Sequence, residues 1–185
     1  MLVLKTKRME LHALTRDQLN LALENVDSLS KALKAVIPAD VFSNESRQAM
    51  LIKLTRMDFV DPVMHPWYTY FLLLDAAERR GMGVCGFKGA PTQFGSVELG
   101  YAIHEDFRNR GLMTEAVSAL VDWAFKQDGC DRVTAETLRE NIASQRVLQK
   151  AGLVYDRGHE HMIYWKIDRA DWAARANGQG QRVSA

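Results

Sequence analysis

The feature that most constrains the fold is a change of period near the middle of the chain. Residues 96–104, "SVELGYAIH", alternate apolar and polar positions and predict a half-buried strand. After Gly111 the spacing switches: Leu112, Ala116, Ala119, Leu120 and Trp123 fall on one helical face until about Gln127, with Gly129 beyond it. Residues 132–138, "RVTAETL", then return to strand character. A strand, a helix and a second strand in this order form a crossover, which sets the two strands parallel in one sheet. Ligand clefts of mixed sheets lie at such crossovers.

The flanking segments predict what joins this unit. "RMELHAL" reads as a first strand, and Thr15 caps a helix through "TRDQLNLALENV". A second short helix follows in "DSLSKALKAVIP", with Asp27 as its expected cap and Pro38 beyond its end. Ser43 caps a third, reaching about Met57, with Ala49, Ile52 and Leu54 as its apolar positions. "DFVDPVMHPWYT" contains two prolines and reads as an irregular loop. "YTYFLLLDA", "GMGVCGFKG" and "SVELGYAIH" then predict an antiparallel meander. "IASQRVLQKAG" is a helix stopped by Gly152, and "LVYDRG" pairs with "MIYWKID" around "HEH". The expectation is a mixed α/β (α+β) fold: one central sheet of about seven strands, mostly antiparallel, flanked by helices. One domain covers 1–172, and a polar, flexible tail covers 173–185.

Bulk composition narrows the partners. Lys plus Arg number 24 against 23 acidic residues, so no global field recruits nucleic acid or an anionic membrane. An anion needs a local site instead. Two cysteines, Cys85 and Cys130, are too few for a disulfide framework and suit a reducing compartment. The N-terminal residues lack a signal-peptide core, and the apolar run around "YFLLL" is too short to span a bilayer. The expected location is cytoplasmic.

The local anion site is "DFRNRGLMTE", residues 106–115. A helix N-terminus offers unpaired N–H groups and the positive end of its dipole. Residues 109–113 supply those donors, Gly111 permits close backbone approach, and Arg108 and Arg110 can fork onto phosphate oxygens. An ordinary strand-to-helix turn with solvated charges accounts for the same residues. Neither G-x-G-x-x-G nor G-x-x-x-x-G-K-[ST] is present, so dinucleotide and nucleoside-triphosphate cradles fit poorly.

The order "GSVELGYAIHEDFRNRGLMTEAVSALVDWAF" then "VTAETLRENIASQRVLQKAGL" resembles the GNAT N-acetyltransferase superfamily, and more narrowly its RimJ/RimL-like branch. The resemblance is clearest from Trp67 to Trp165. It implies a GNAT-like fold and an [QR]-x-x-G-x-[GA] turn that binds the acetyl-CoA diphosphate through backbone amides. Arg108, Gly111 and Met113 take the three defined places, with Asn109, Arg110, Leu112 and Thr114 around them. Met113 departs from the small residue expected, so its side chain must point away from the phosphates. The resemblance also implies that "LGYAI" splays from "VTAETL", freeing amides at Tyr101, Ala102 and Ile103 for the pantetheine and the acetyl oxygen. Gly100 suits a bulge there.

Acetyl transfer to an amine requires a polarised thioester, a neutral amine and a departing thiolate. The resemblance points to Glu98 as base, with Glu136 in the neighbouring strand as the alternative; Glu98 could instead be a solvated strand residue. A lysine amine, with a pKa near about 10.4, needs a base more than an α-amine near about 7.7–8.0 does. Relatives commonly carry a tyrosine seven residues after the asparagine that opens the next helix. Here that position is Leu148, which cannot donate. The "N-x-x-S" pattern places Asn141 on the pantetheine amides and Ser144 near the sulfur, though both types are common at helix starts.

Other residues read more plainly. The cysteines suit buried thiols, and His159 and His161 suit an exposed turn rather than a metal site. Met64, His65 and Trp67 could line the acceptor entrance, and Lys150 could reach a CoA phosphate or simply face solvent. The implied function is an acetyl-CoA-dependent N-acetyltransferase (an acyltransferase transferring groups other than aminoacyl groups) acting by direct attack in a ternary complex without metal. Its acceptor is an amine, on a small molecule or a protein N-terminus. The alternative is a non-catalytic CoA-binding sensor or assembly module. Relatives dimerise, and no interface is legible here.

Overall fold

Side-chain alternation along the middle strands decides how the layers stack. The computed structural model describes residues 2–180. Strands β1 (Val3–Lys5), β2 (Met9–Ala13), β3 (Phe71–Asp75), β4 (Gly81–Phe87), β5 (Ser96–Ile103), β6 (Arg132–Leu138), β7 (Val154–His159) and β8 (Met162–Asp168) form one sheet in the order β1-β2-β3-β4-β5-β6-β8-β7. Every neighbouring pair is antiparallel except β5–β6. The meander, the crossover and the final hairpin are where their patterns predict them. An additional edge strand, β1, raises the count to eight; its three residues are too few to show a period.

Helices α1 (Arg16–Glu24), α2 (Val26–Leu33), α3 (Asn44–Met57) and α4 (His65–Tyr68) precede β3; α5 (Leu112–Phe125), α6 (Ile142–Ala151) and α7 (Arg169–Gly180) follow in the second half. Phe71 and Leu73 of β3 face one way, into a core with Leu120, Val121 and Phe125 of α5. Leu72 and Leu74 face the other way, against Leu19 of α1, Leu29 of α2 and Met50 of α3. The first half of the sheet is therefore covered on both faces. In the second half Val133, Ala135, Trp165 and Ile167 pack into the α5 core, while Glu136 and Leu138 of β6 stay exposed on the opposite face.

Several local expectations need correction. Thr15 caps α1 in a full capping box with Gln18, and Ser43 caps α3, as their positions predict. The cap of α2 is Asn25, whose side chain accepts from the Ser28 amide; Asp27 sits in the first turn, where its charge still favours the helix dipole. Ile52 is exposed, and the inward face of α3 is Met50, Lys53, Leu54 and Met57. The proline-containing segment is ordered into a short 3-10 turn, Pro62–Met64, and α4. The polar stretch from 173 continues α7 to Gly180; the rest of that predicted tail, 181–185, lies outside the described residues.

Candidate active site

The phosphate-turn candidate sits where β5 hands over to α5. His104 caps a 3-10 turn, Glu105–Phe107, by accepting from the Asp106 amide. Asn109 and Gly111 both adopt left-handed backbone, at φ 60° and 72°. Glycine is the residue that takes this conformation without strain. Gly111 is the N-cap of α5 and contributes no side-chain cap, so the first amides of the helix have no side-chain acceptor. Leu112 and Met113 are buried in the core, at 6% and 3% exposure. Met113 therefore points away from the turn, as a phosphate site requires. Arg108 and Arg110 stay exposed, with Arg110 5.6 Å over the Phe107 ring, and Thr114 is half-buried.

Downstream of this turn in space lies a gap between the parallel strands. β5 pairs with β6 only from Ser96↔Arg132 to Glu98↔Thr134, then follows β4 while β6 follows β8 to its end. The amides of Lys88 and His104 donate to the carbonyls of Glu98 and Met82, which fixes the phase of the β4–β5 ladder. In an antiparallel ladder main-chain groups alternate between the two sides. Leu99, Tyr101 and Ile103 thus turn theirs toward the gap, and Ala102 turns its amide to β4. The expected donor at Ala102 is spent within the sheet. Gly100 needs no bulge either: the β4–β5 register runs unbroken past it.

Side chains divide across this gap. Tyr101 points to the α5–α6 face, where its hydroxyl lies 2.8 Å from Ser144 Oγ and donates to the Ser144 carbonyl at 3.1 Å. Burial lifts the phenol to about 12, with the Ser144 hydrogen bond opposing, so it stays a donor at neutral pH. Asn141 caps α6, its Oδ1 accepting from the Ser144 amide at 3.0 Å. Glu98 points to the open face beside Ser96 and Thr134. There the Lys88 ammonium pairs with Glu98 and, at 2.8 Å, with Glu136. Glu98 is the last residue of β5 paired to β6, and Glu136 lies beyond the parting, so Lys88 spans the mouth of the gap. Partial burial works against its charge, but the two carboxylates outweigh that and hold Lys88 above its ordinary range.

The family model "Acetyltransferase (GNAT) domain" matches residues 8–154. The chain belongs to the GNAT acetyltransferase family. Among curated relatives, the uncharacterized N-acetyltransferase YjdG of Bacillus subtilis is 31% identical over 84 residues, covering 45% of this chain and 50% of that one. The probable N-acetyltransferase YjcK of the same organism is 41% identical over 54 residues, covering 29% and 30%. The match thus spans half or less of these relatives' length. Solved structures share the fold. A putative ribosomal-protein-serine acetyltransferase from Vibrio cholerae superposes with a TM-score of 0.62 at 20% identity, covering 90% of this chain and 97% of that one. A RimL ribosomal L7/L12 alpha-N-protein acetyltransferase in complex with coenzyme A gives 0.63 at 16%, covering 90% and 98%.

Within this GNAT domain a groove of about 520 Å³ opens beside Glu98, lined by Arg56, Phe59, Tyr68 and Lys88 among others. The expected entrance residues are elsewhere. Trp67 is buried against Phe87 and Trp123, with ring centroids 5.0 and 4.6 Å away. His65 bonds the Met57 carbonyl at 3.2 Å, and Met64 packs on the core. Cys85 and Cys130 are buried free thiols, pushed up to about 12 and about 11 by burial. His159 and His161 are exposed at the β7–β8 turn, and Lys150 is exposed on α6. Two functional candidates escaped the sequence reading. Lys88 carries no signal until β4 and β5 are placed side by side, and the Tyr101 hydroxyl reads as core until α6 is docked. Lys53, under the groove, donates to the carbonyls of Thr69 and Phe87. Burial draws it down to about 7, and repulsion from Arg56 and Lys88 adds to this.

Proposed function

We propose that the chain is an acetyl-CoA-dependent N-acetyltransferase that joins acetyl-CoA and an amine in a ternary complex. The observation carrying this reading is the parting of β5 from β6 in a GNAT domain, with a carboxylate on one face of the gap and a phenol–hydroxyl pair on the other. The diphosphate lies on the main-chain amides of the 108–114 turn, flanked by Arg108 and Arg110. The pantetheine runs along the free edge of β5 past Asn141, and the thioester oxygen takes a hydrogen bond from a gap-facing amide such as that of Tyr101.

The acceptor amine arrives from the open face through the groove lined by Tyr68 and Phe59. Glu98 takes its proton, while Lys88 stays paired with Glu136. The amine nitrogen then attacks the carbonyl carbon, and the oxyanion collapses with cleavage of the C–S bond. Ser144, held by Tyr101, offers its hydroxyl as a hydrogen-bond donor to the departing thiolate, whose charge is balanced by the proton that Glu98 has taken from the amine. The tyrosine that relatives carry at the position of Leu148 is replaced in this scheme by a phenol from β5. No covalent enzyme intermediate is needed, because both cysteines are buried and held protonated.

The groove contains Arg56 and Lys88 beside Glu98, which disfavours a polycation and suits a single primary amine, as on a protein N-terminus or a small molecule. The balanced net charge and the reduced cysteines suit a cytoplasmic enzyme. The test is thiol release from acetyl-CoA with a panel of amines: α-amino peptides, amino acids, aminoglycosides and polyamines. Turnover with at least one amine is the expected result. Protection of the protein by CoA against heat, with no turnover on any acceptor, would favour the non-catalytic binding module.

A further inference from the structure

The β1–β2 hairpin is a hundred residues from the phosphate turn in sequence and against it in space. Its Arg8 makes three directional contacts there. The Arg8 amide donates to Glu115 Oε1 at 3.0 Å, its Nε to Glu115 Oε2 at 2.6 Å, and its Nη1 to the Arg110 carbonyl at 2.8 Å. Glu115 stands in the first turn of α5, and Arg110 immediately precedes the left-handed Gly111. Glu115 is kept below its ordinary range: partial burial opposes this, but bonds from Thr6 and Arg8 prevail.

Across a trans peptide the carbonyl and the following N–H point in opposite directions. By holding the Arg110 oxygen, Arg8 turns the Gly111 N–H to the other side of the peptide plane. A left-handed glycine peptide rotates easily, and a flipped one would present a carbonyl oxygen where an anion needs a donor. Arg8 also places a cation near the positive end of the α5 dipole, an arrangement a helix start does not favour by itself.

We infer that Arg8 is a positioning residue for coenzyme A: it locks the Arg110–Gly111 peptide with its N–H toward the diphosphate and so selects CoA thioesters over carriers lacking a diphosphate. This rests on the assignment of the 108–114 turn to acetyl-CoA. The test compares thiol release from acetyl-CoA and from acetyl-pantetheine, using the amine that supports turnover, in the wild type, Arg8→Met and Arg8→Lys. Arg8→Met should raise KM for acetyl-CoA about tenfold, the value of one lost hydrogen bond to the turn. Its kcat should change less than twofold, and kcat/KM for acetyl-pantetheine should hold. Arg8→Lys keeps the charge without the fork and should fall between. Equal losses on both thioesters would reduce Arg8 to a brace for the hairpin and overturn the inference alone. A wild type indifferent to whether the carrier has a diphosphate would overturn the inference together with the placement of CoA.

Discussion

The proposed phosphate turn and the proposed acceptor groove use the chain in opposite ways. At the proposed turn the chemistry would belong to the backbone: Gly111 has no side chain, Met113 is buried, and the proposed donors are amides at the start of α5. At the groove the chemistry belongs to side chains from separate strands, with Lys88 of the segment after β4 joining Glu98 of β5 to Glu136 of β6. A backbone site survives changes of side-chain identity provided its φ angles are kept. A site made of charges across strands depends on side-chain identity.

Breaking the backbone site should have the largest effect. Gly111→Asp puts a carboxylate at the anion position and strains a left-handed residue; loss of two or more charge-assisted hydrogen bonds predicts weakening of CoA binding by about 100-fold or more in calorimetry. Gly111→Ala introduces only the strain, since the nearest side-chain atom to its Cβ, on Arg8, is 3.7 Å away. It should cost about 1 kcal/mol of stability and far less affinity.

On the side-chain site, Glu98→Gln should lower kcat about 100-fold, the low end for a lost general base, and leave CoA affinity intact. Equal loss in Glu136→Gln would show that the pair, not Glu98, does the work. Across the gap, Ser144→Ala and Tyr101→Phe should each reduce kcat about tenfold with little change in CoA affinity. The double variant should lose less than the product of the two, because the hydroxyls act in one chain. An affinity loss matching the kcat loss would make Ser144 a binding residue instead.

The smallest effect concerns Lys53. Its folded value of about 7 lies below the ordinary 10.5, so between these values the unfolded chain binds the extra proton. The folded state is thus penalised increasingly as pH falls from about 10 toward 7, and Lys53→Met removes that dependence. The melting temperature of the wild type relative to Lys53→Met should drop by about 2–4 °C per pH unit on acidification through this window. Parallel melting curves would show that folded Lys53 binds its proton as readily as in the unfolded chain and would contradict the downward shift.

This contrast also explains what the sequence could tell. Alternation and helical spacing lie within contiguous segments, so β4 to β8, α5 and α6 were legible to within a few residues. The turn was legible because the function proposed for it needs one glycine between a strand and a helix. Strand β1 is too short for a period, and α7 lacks a strong apolar stripe, so neither announced itself. The Ala102 amide turns to β4 because amide direction depends on ladder phase, which residue type does not encode. Lys88, Arg8 and the Tyr101 hydroxyl derive their proposed roles from neighbours 10, 102 and 43 residues away, at Glu98, Arg110 and Ser144. Single-chain patterns are silent about such pairs.

The most direct measurement is a crystal structure with acetyl-CoA bound, reading the contacts of the diphosphate oxygens. The account predicts oxygens within about 2.7–3.2 Å of main-chain nitrogens between Asn109 and Met113. A diphosphate seated elsewhere, with those amides hydrogen-bonded only to solvent, would contradict it.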